Sequence, residues 1–126
     1  MVTENQMKKI EEFAIDVDWN IAFGGNSKGN MHLFRVVKTA KLLSQSLDVD
    51  ASLVEAGAWL HDTGLAKGVA TSPLSYKEEV TTFLKNIDIT EKEINVILHC
   101  IEAHDGRFKA ESFEAKLVHD ADTLDK

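Results

Sequence analysis

Residues 51–64 read Ala51-Ser52-Leu53-Val54-Glu55-Ala56-Gly57-Ala58-Trp59-Leu60-His61-Asp62-Thr63-Gly64, and this stretch decides the fold. From Leu53 to Leu60 the only charged residue is Glu55. A helix that is apolar nearly all round has no solvent face, so it belongs inside the protein. His61 and Asp62 follow at its C-terminal end, and Thr63-Gly64 stops it. Two metal-competent side chains thus arrive in the interior. Burying an imidazole and a carboxylate is costly unless both are satisfied. A bound cation satisfies both. The plainer alternative, commoner for an isolated His-Asp pair, is that His61 caps the helix and Asp62 opens a turn.

Around this helix the chain reads as a single all-α domain. Its 126 residues suit one domain, and 44% hydrophobic content supplies a core. A lone proline, few aromatics and long periodic runs favour helices over a sandwich or barrel. Cys100 is the only cysteine, which excludes an internal disulfide and points to a reducing, cytoplasmic compartment. The polar start Met-Val-Thr-Glu-Asn-Gln has no signal-peptide core, and no apolar run is long enough for a bilayer, so no membrane partner is expected. The net charge of −7 argues against non-specific nucleic-acid or acidic-membrane binding. A phosphate substrate would therefore need a metal ion or local cations.

The remaining helices follow from caps and stripes. Thr3 with Gln6 has capping-box spacing and starts a helix from Glu4 to about Ala22, with Met7, Ile10, Phe13, Ala14, Val17 and Ile21 inward. Gly24 to Gly29 is a loop that lacks the preceding strand and lysine spacing of a phosphate-cradling loop. Asn30 caps a second helix, Met31 to about Ser46, with Leu33, Val36, Val37, Ala40 and Leu43 inward. His32 lies roughly 75° from that stripe's centre, with Arg35 and Thr39 on the same flank. Asp50 caps the buried helix. Leu65 to Leu74, with Lys67, is a loop beside the candidate site. Ser75 with Glu78 begins a short helix to about Asn86, and Thr90 with Glu93 begins one to about His104. On the latter, His104 falls roughly 70° from the stripe and His99 roughly 150°. The last helix begins near Ser112. Its stripe, Phe113, Leu117, Ala121 and Leu124, puts Asp120 on the flank, roughly 70° off centre, and His119 nearly opposite. Asp122 and Asp125 read as nearby carboxylates or as a solvated acidic end.

His32, His61, Asp62 and Asp120 are then the inward-capable ligands, from three helices. Two imidazoles and two carboxylates suit one divalent ion such as Mn²⁺, Fe²⁺, Co²⁺, Ni²⁺ or Mg²⁺. On an octahedral ion they leave two positions open. A structural zinc site would more often use thiolates.

This pattern resembles the H…HD…D signature of the HD-domain superfamily of metal-dependent phosphohydrolases. His32-Leu33-Phe34-Arg35-Val36 is similar to the family's H-x-x-R-V, and Ala58-Trp59-Leu60-His61-Asp62 to its apolar run into HD. Ile101-Glu102-Ala103-His104 resembles I-x-x-H. Glu114 to Asp125 resembles E-A-K-(I/L)-V-x-D-A-D-x-L-(D/E), the most specific of the four and typical of small stand-alone HD hydrolases. The likeness runs from about residue 28 to the end. Many relatives carry another His-Asp where Lys28-Gly29 stands here. Relatives also continue past the D-A-D run, so residues 1–126 are expected to form one HD domain lacking the family's C-terminal helices.

The resemblance implies a bundle of about five or six helices around the helix that ends in His-Asp. It implies hydrolysis of a phosphate ester or anhydride, of a nucleotide or similar small molecule, with one divalent metal held by His32, His61, Asp62 and Asp120. Asp62 and His104 are then the catalytic candidates, and Lys67, Arg35 and His104 the phosphate contacts. Arg35 is more readily a structural partner of Asp122. Two alternatives stand beside this: a non-catalytic HD domain that binds metal or nucleotide, and a two-metal HD phosphodiesterase or oxygenase. The latter needs extra inward histidines, and His99 and His104 lie roughly 140° apart on their helix. Self-association into a homodimer stays open.

Overall fold

The computed structural model describes residues 1–21, 31–63, 73–103 and 109–125. Six α-helices and no strand lie within them. The Thr3 capping box forms: Gln6 N–H donates to Thr3 Oγ1 at 3.2 Å and Thr3 N–H to Gln6 Oε1 at 2.9 Å. Helix α1 therefore starts at Glu4 and covers Glu4–Asp16. It does not continue as an α-helix to Ala22. From Val17 the chain winds as one π-helical turn, Val17–Ile21, which brings the neighbours Val17 and Asp18 both to the buried side. Helix α2 covers His32–Ser44, ending where Ser44 Oγ donates back to Lys41 O at 2.8 Å. Its expected cap, Asn30, lies outside the described residues.

Asp50 caps α3, Ala51–Leu60, by accepting from Ser52 N–H at 3.0 Å. Helix α4, Pro73–Asn86, starts two residues before Ser75. Proline suits the first helical position because its fixed φ fits and its missing N–H is one the helix leaves unused. The capping box proposed for Ser75 and Glu78 therefore does not set that start. Thr90 and Glu93 do form theirs, with Glu93 N–H on Thr90 Oγ1 at 3.2 Å, and α5 covers Glu91–Ala103. Ser112 caps α6, Phe113–Leu124, by accepting from Ala115 N–H at 3.1 Å.

As its composition requires, α3 is the centre. It packs against α1, α2, α5 and α6, while α2 and α5 also touch α6, and α4 rests on α5. From Leu53 to Leu60 every residue except Glu55 is buried. Each fully buried Leu or Val there contributes about 1.5–3 kcal/mol. Glu55, half-buried, accepts from Trp59 Nε1 at 3.2 Å and pairs with Lys41 Nζ at 3.6 Å. No helix among the described residues is long and apolar enough to cross a membrane.

The face of α6 differs from the expected stripe. Phe113 and Leu124 are exposed, at 65% and 69%. The buried side is Ala115, Leu117, Val118, Ala121 and Asp122. The inward direction is thus turned by roughly 100°, the rotation of a single residue. That turn decides which aspartate enters the protein.

Candidate metal centre

His61 is fully buried. It follows the last turn of α3, and its Nδ1 lies 2.6 Å from the Ala58 carbonyl. A carbonyl only accepts, so Nδ1 carries the hydrogen and Nε2 presents its lone pair to the interior. There it meets carboxylates: Asp62 Oδ2 at 3.2 Å and Asp122 Oδ1 at 3.5 Å. His32, on the first turn of α2, is arranged the same way. Its Nδ1 sits 2.5 Å from Asp125 Oδ2, and its Nε2 faces Asp122 Oδ1 at 3.1 Å and Asp62 Oδ2 at 3.6 Å. The two rings meet edge to face, 5.5 Å apart.

His32, His61 and Asp122 each offer a ligand atom within 4.8 Å of the others. Asp62 adds a carboxylate beside both imidazoles. The donor set fits a divalent cation for a specific reason. Neutral imidazoles with hydrogen on Nδ1 would point lone pairs at carboxylate oxygens, acceptor against acceptor. Something positive must lie between them, either an extra proton or a metal ion. The proton's share of this is visible in the titration behaviour. Burial opposes charge on His61, but Asp62 and Asp122 outweigh it and hold the imidazole up to about 10. The Asp122 carboxylate likewise raises His32 against its burial, and Asp125 adds to it. Histidines that ligate a metal commonly have their other nitrogen held by a carbonyl or carboxylate, which is the arrangement of both rings here.

Behind His32 stands a relay. Arg35 Nε donates to Asp125 Oδ1 at 2.7 Å and Arg35 Nη2 to Asp125 Oδ2 at 3.2 Å. The Arg35 guanidinium, with His32, holds the Asp125 carboxyl below the usual carboxylate range. Arg35 is therefore partnered by Asp125 rather than by Asp122. Asp125 is not a solvated end; it orients His32.

Of the expected ligands, the structure brings together His32, His61 and Asp62. It does not bring in Asp120, which is exposed, while Asp122 is 3% exposed and stands beside both imidazoles instead. The reason is the rotation of α6: residues two apart on a helix lie roughly 200° apart, so only one of the pair can face the core. His99 is outside the cluster. It accepts from Glu111 N–H through Nε2 at 2.9 Å and faces Glu102 Oε2 at 3.5 Å. Lys67 and His104 lie outside the described residues.

One residue of interest escaped the sequence reading. Asp18 is 8% exposed, and its raised pKa comes first from burial and then from Asp62, with His32 and His61 opposing. A signal was available. Asp18 sits four residues after Ala14 and three before Ile21, on the flank of its helix's apolar stripe, as His32 does on its own.

The family model for the HD domain matches residues 31–126. Ribonuclease Y from Acidothermus cellulolyticus is 30% identical over 95 residues, covering 74% of this chain and 18% of that protein. The chain thus spans less than a fifth of the length of that relative. No solved structure matches at comparable significance.

Proposed function

The chain belongs to the HD-domain family, and from that premise we propose that it is a metal-dependent phosphohydrolase cleaving a phosphate ester or anhydride of a nucleotide or similar small molecule. The observation that carries this reading is the inward meeting of two imidazole Nε2 atoms with the carboxylates of Asp62 and Asp122. A divalent cation held there by His32, His61, Asp62 and Asp122 supplies Lewis acidity toward a phosphoryl oxygen and toward water.

The chain's own groups do the rest. The Ala58 carbonyl and Asp125 fix the two rings so that Nε2 always faces the centre. Asp62 has the more exposed side chain of the two site carboxylates, at 18% against 5% for the side chain of Asp122. It is therefore the candidate to take a proton from the attacking water. Arg35 spends Nε and Nη2 on Asp125, so its part is to steady His32. Lys67 and His104 are the candidate phosphate contacts.

The test is elemental analysis of the purified protein followed by a phosphate-release screen over nucleotides, simple esters and a short RNA. About one divalent ion per chain and turnover of a small substrate support the reading. Asp62→Ala should abolish metal and turnover together, and full activity in metal-free protein would falsify it. A second reading is favoured by the ribonuclease name of the relative, which brings in the phosphodiester of RNA as substrate. The net charge of −7 weighs against a polyanion, and cleavage of the RNA alone would reverse that judgement. A metal-loaded protein inert across the whole panel would be a binding domain.

A further inference from the structure

Asp18 occupies a position where an apolar side chain would close the core. It lies on the π-helical turn Val17–Ile21, is more than nine-tenths buried, and its Oδ2 has no hydrogen-bond partner among the described residues. A buried carboxylate oxygen left in this state is costly. Such a cost persists where a ligand offsets it. Single π-helical turns also occur often at functional sites.

The surroundings of Asp18 identify the ligand. Its neighbour Trp19 packs on Phe34 of α2, the helix that carries His32, and the charges of Asp62, His32 and His61 reach Asp18, so it lies near the centre described above. Among the described residues it forms no ion pair with His32 or His61, unlike Asp62 and Asp122, so its carboxylate stands back from the two imidazoles. The turn is held in register by aromatic contacts. Trp19 packs on Phe34 at 5.9 Å, and Phe34 meets Trp59 edge to face at 5.5 Å, which ties it to α2 and α3. A carboxylate near an ion's ligands but outside contact with them is placed to meet the ion's water shell rather than the ion itself.

We propose that Asp18 belongs to the cation site as an outer residue whose Oδ2 accepts a hydrogen bond from a water molecule of the bound cation's hydration shell. This rests on the metal-binding part of the reading above, and it adds a contribution from the N-terminal helix, outside residues 31–126. The carboxylate weakens the metal-free fold and strengthens the hold on the ion.

The full chain carries the test, with Mn²⁺ titration calorimetry and thermal melts in chelator at pH 8. Asp18→Asn keeps the shape and removes the charge. In chelator it should melt several degrees above the wild type. Its Mn²⁺ affinity should fall about tenfold, at the lower end of what loss of an outer partner costs. Asp18→Ser repeats the affinity comparison with a smaller side chain and should show the same loss. A lower melting midpoint for Asp18→Asn, or affinities within twofold of wild type for both variants, overturns the assignment of Asp18 alone. A wild type that takes up no Mn²⁺ overturns the metal-dependent reading itself, and Asp18 with it.

Discussion

Asp120 and Asp122 differ by two positions and have opposite fates. Asp122 faces His32 Nε2 at 3.1 Å, and Asp120 is exposed. Divalent-metal affinity should therefore fall by more than about 100-fold in Asp122→Asn, beyond the range of outer partners. It should stay within about twofold in Asp120→Asn, where no contact to the centre is lost. Calorimetric titration of the two variants decides between the aspartates directly. Asp125 belongs between these extremes. It holds the ring of His32 rather than facing the centre, so Asp125→Asn should cost about 10–100-fold. A loss equal to that of Asp122→Asn would make Asp125 a ligand instead.

Two sites show how elements are ended and fitted together. Helix α4 stops in a Schellman motif: Ile89 N–H donates to Leu84 O at 3.1 Å and Asp88 N–H to Lys85 O at 3.1 Å. The motif requires a left-handed residue, and Asp88 supplies it at φ 66°. Ile89 and Leu84, both buried, make the accompanying apolar contact. Glycine adopts that conformation without a Cβ penalty, so Asp88→Gly should stabilise the protein by about 0.5–1 kcal/mol in urea unfolding. Gly57 acts through space rather than conformation. A Cβ there would meet Cys100 Cβ at 2.7 Å and Sγ at 2.8 Å, because α3 and α5 touch almost backbone to backbone. Gly57→Ala would gain helix propensity, but the overpacking should dominate and destabilise by about 1–3 kcal/mol. An unchanged urea midpoint would mean that α5 can move aside at little cost.

For the molecule as a whole, the centre links stability to pH and to metal. His61 in the folded protein is raised from 6.5 to about 10. A base raised in this way contributes stability that is complete below about 6.5 and is lost as pH climbs toward about 10. Cys100, pushed from 9.0 to about 12 by burial and by Glu114, subtracts further above pH 9.0. The melting midpoint in chelator should therefore fall steadily from neutral pH to about 10. Metal should reverse the trend, since binding would displace the proton and tighten with pH, by roughly tenfold per unit for each proton lost. At about 100 times its dissociation constant the ion adds roughly 2.7 kcal/mol. Melts from pH 6 to 10, with Mn²⁺ and with chelator, measure both slopes. A chelated profile that is flat would mean that the carboxylates do not govern His61.

By itself the sequence determined the helical class, the central place of α3 and most helix starts. These depend on local facts: Thr3, Asp50, Thr90 and Ser112 cap within three residues, and an apolar run with one charge can only be interior. The same run delivered His61 and Asp62 to the interior. Only the tertiary structure decided that Asp122 enters and Asp120 does not, that Arg35 serves Asp125, and that Asp18 is buried. A residue on the flank of a stripe points wherever the helix is rolled by its neighbours. On α6 the large side chains at both ends, Phe113 and Leu124, are exposed, while small Ala115 and Ala121 pack inward. Size therefore misdirected the stripe, and packing against α2, α3 and α5 set the roll.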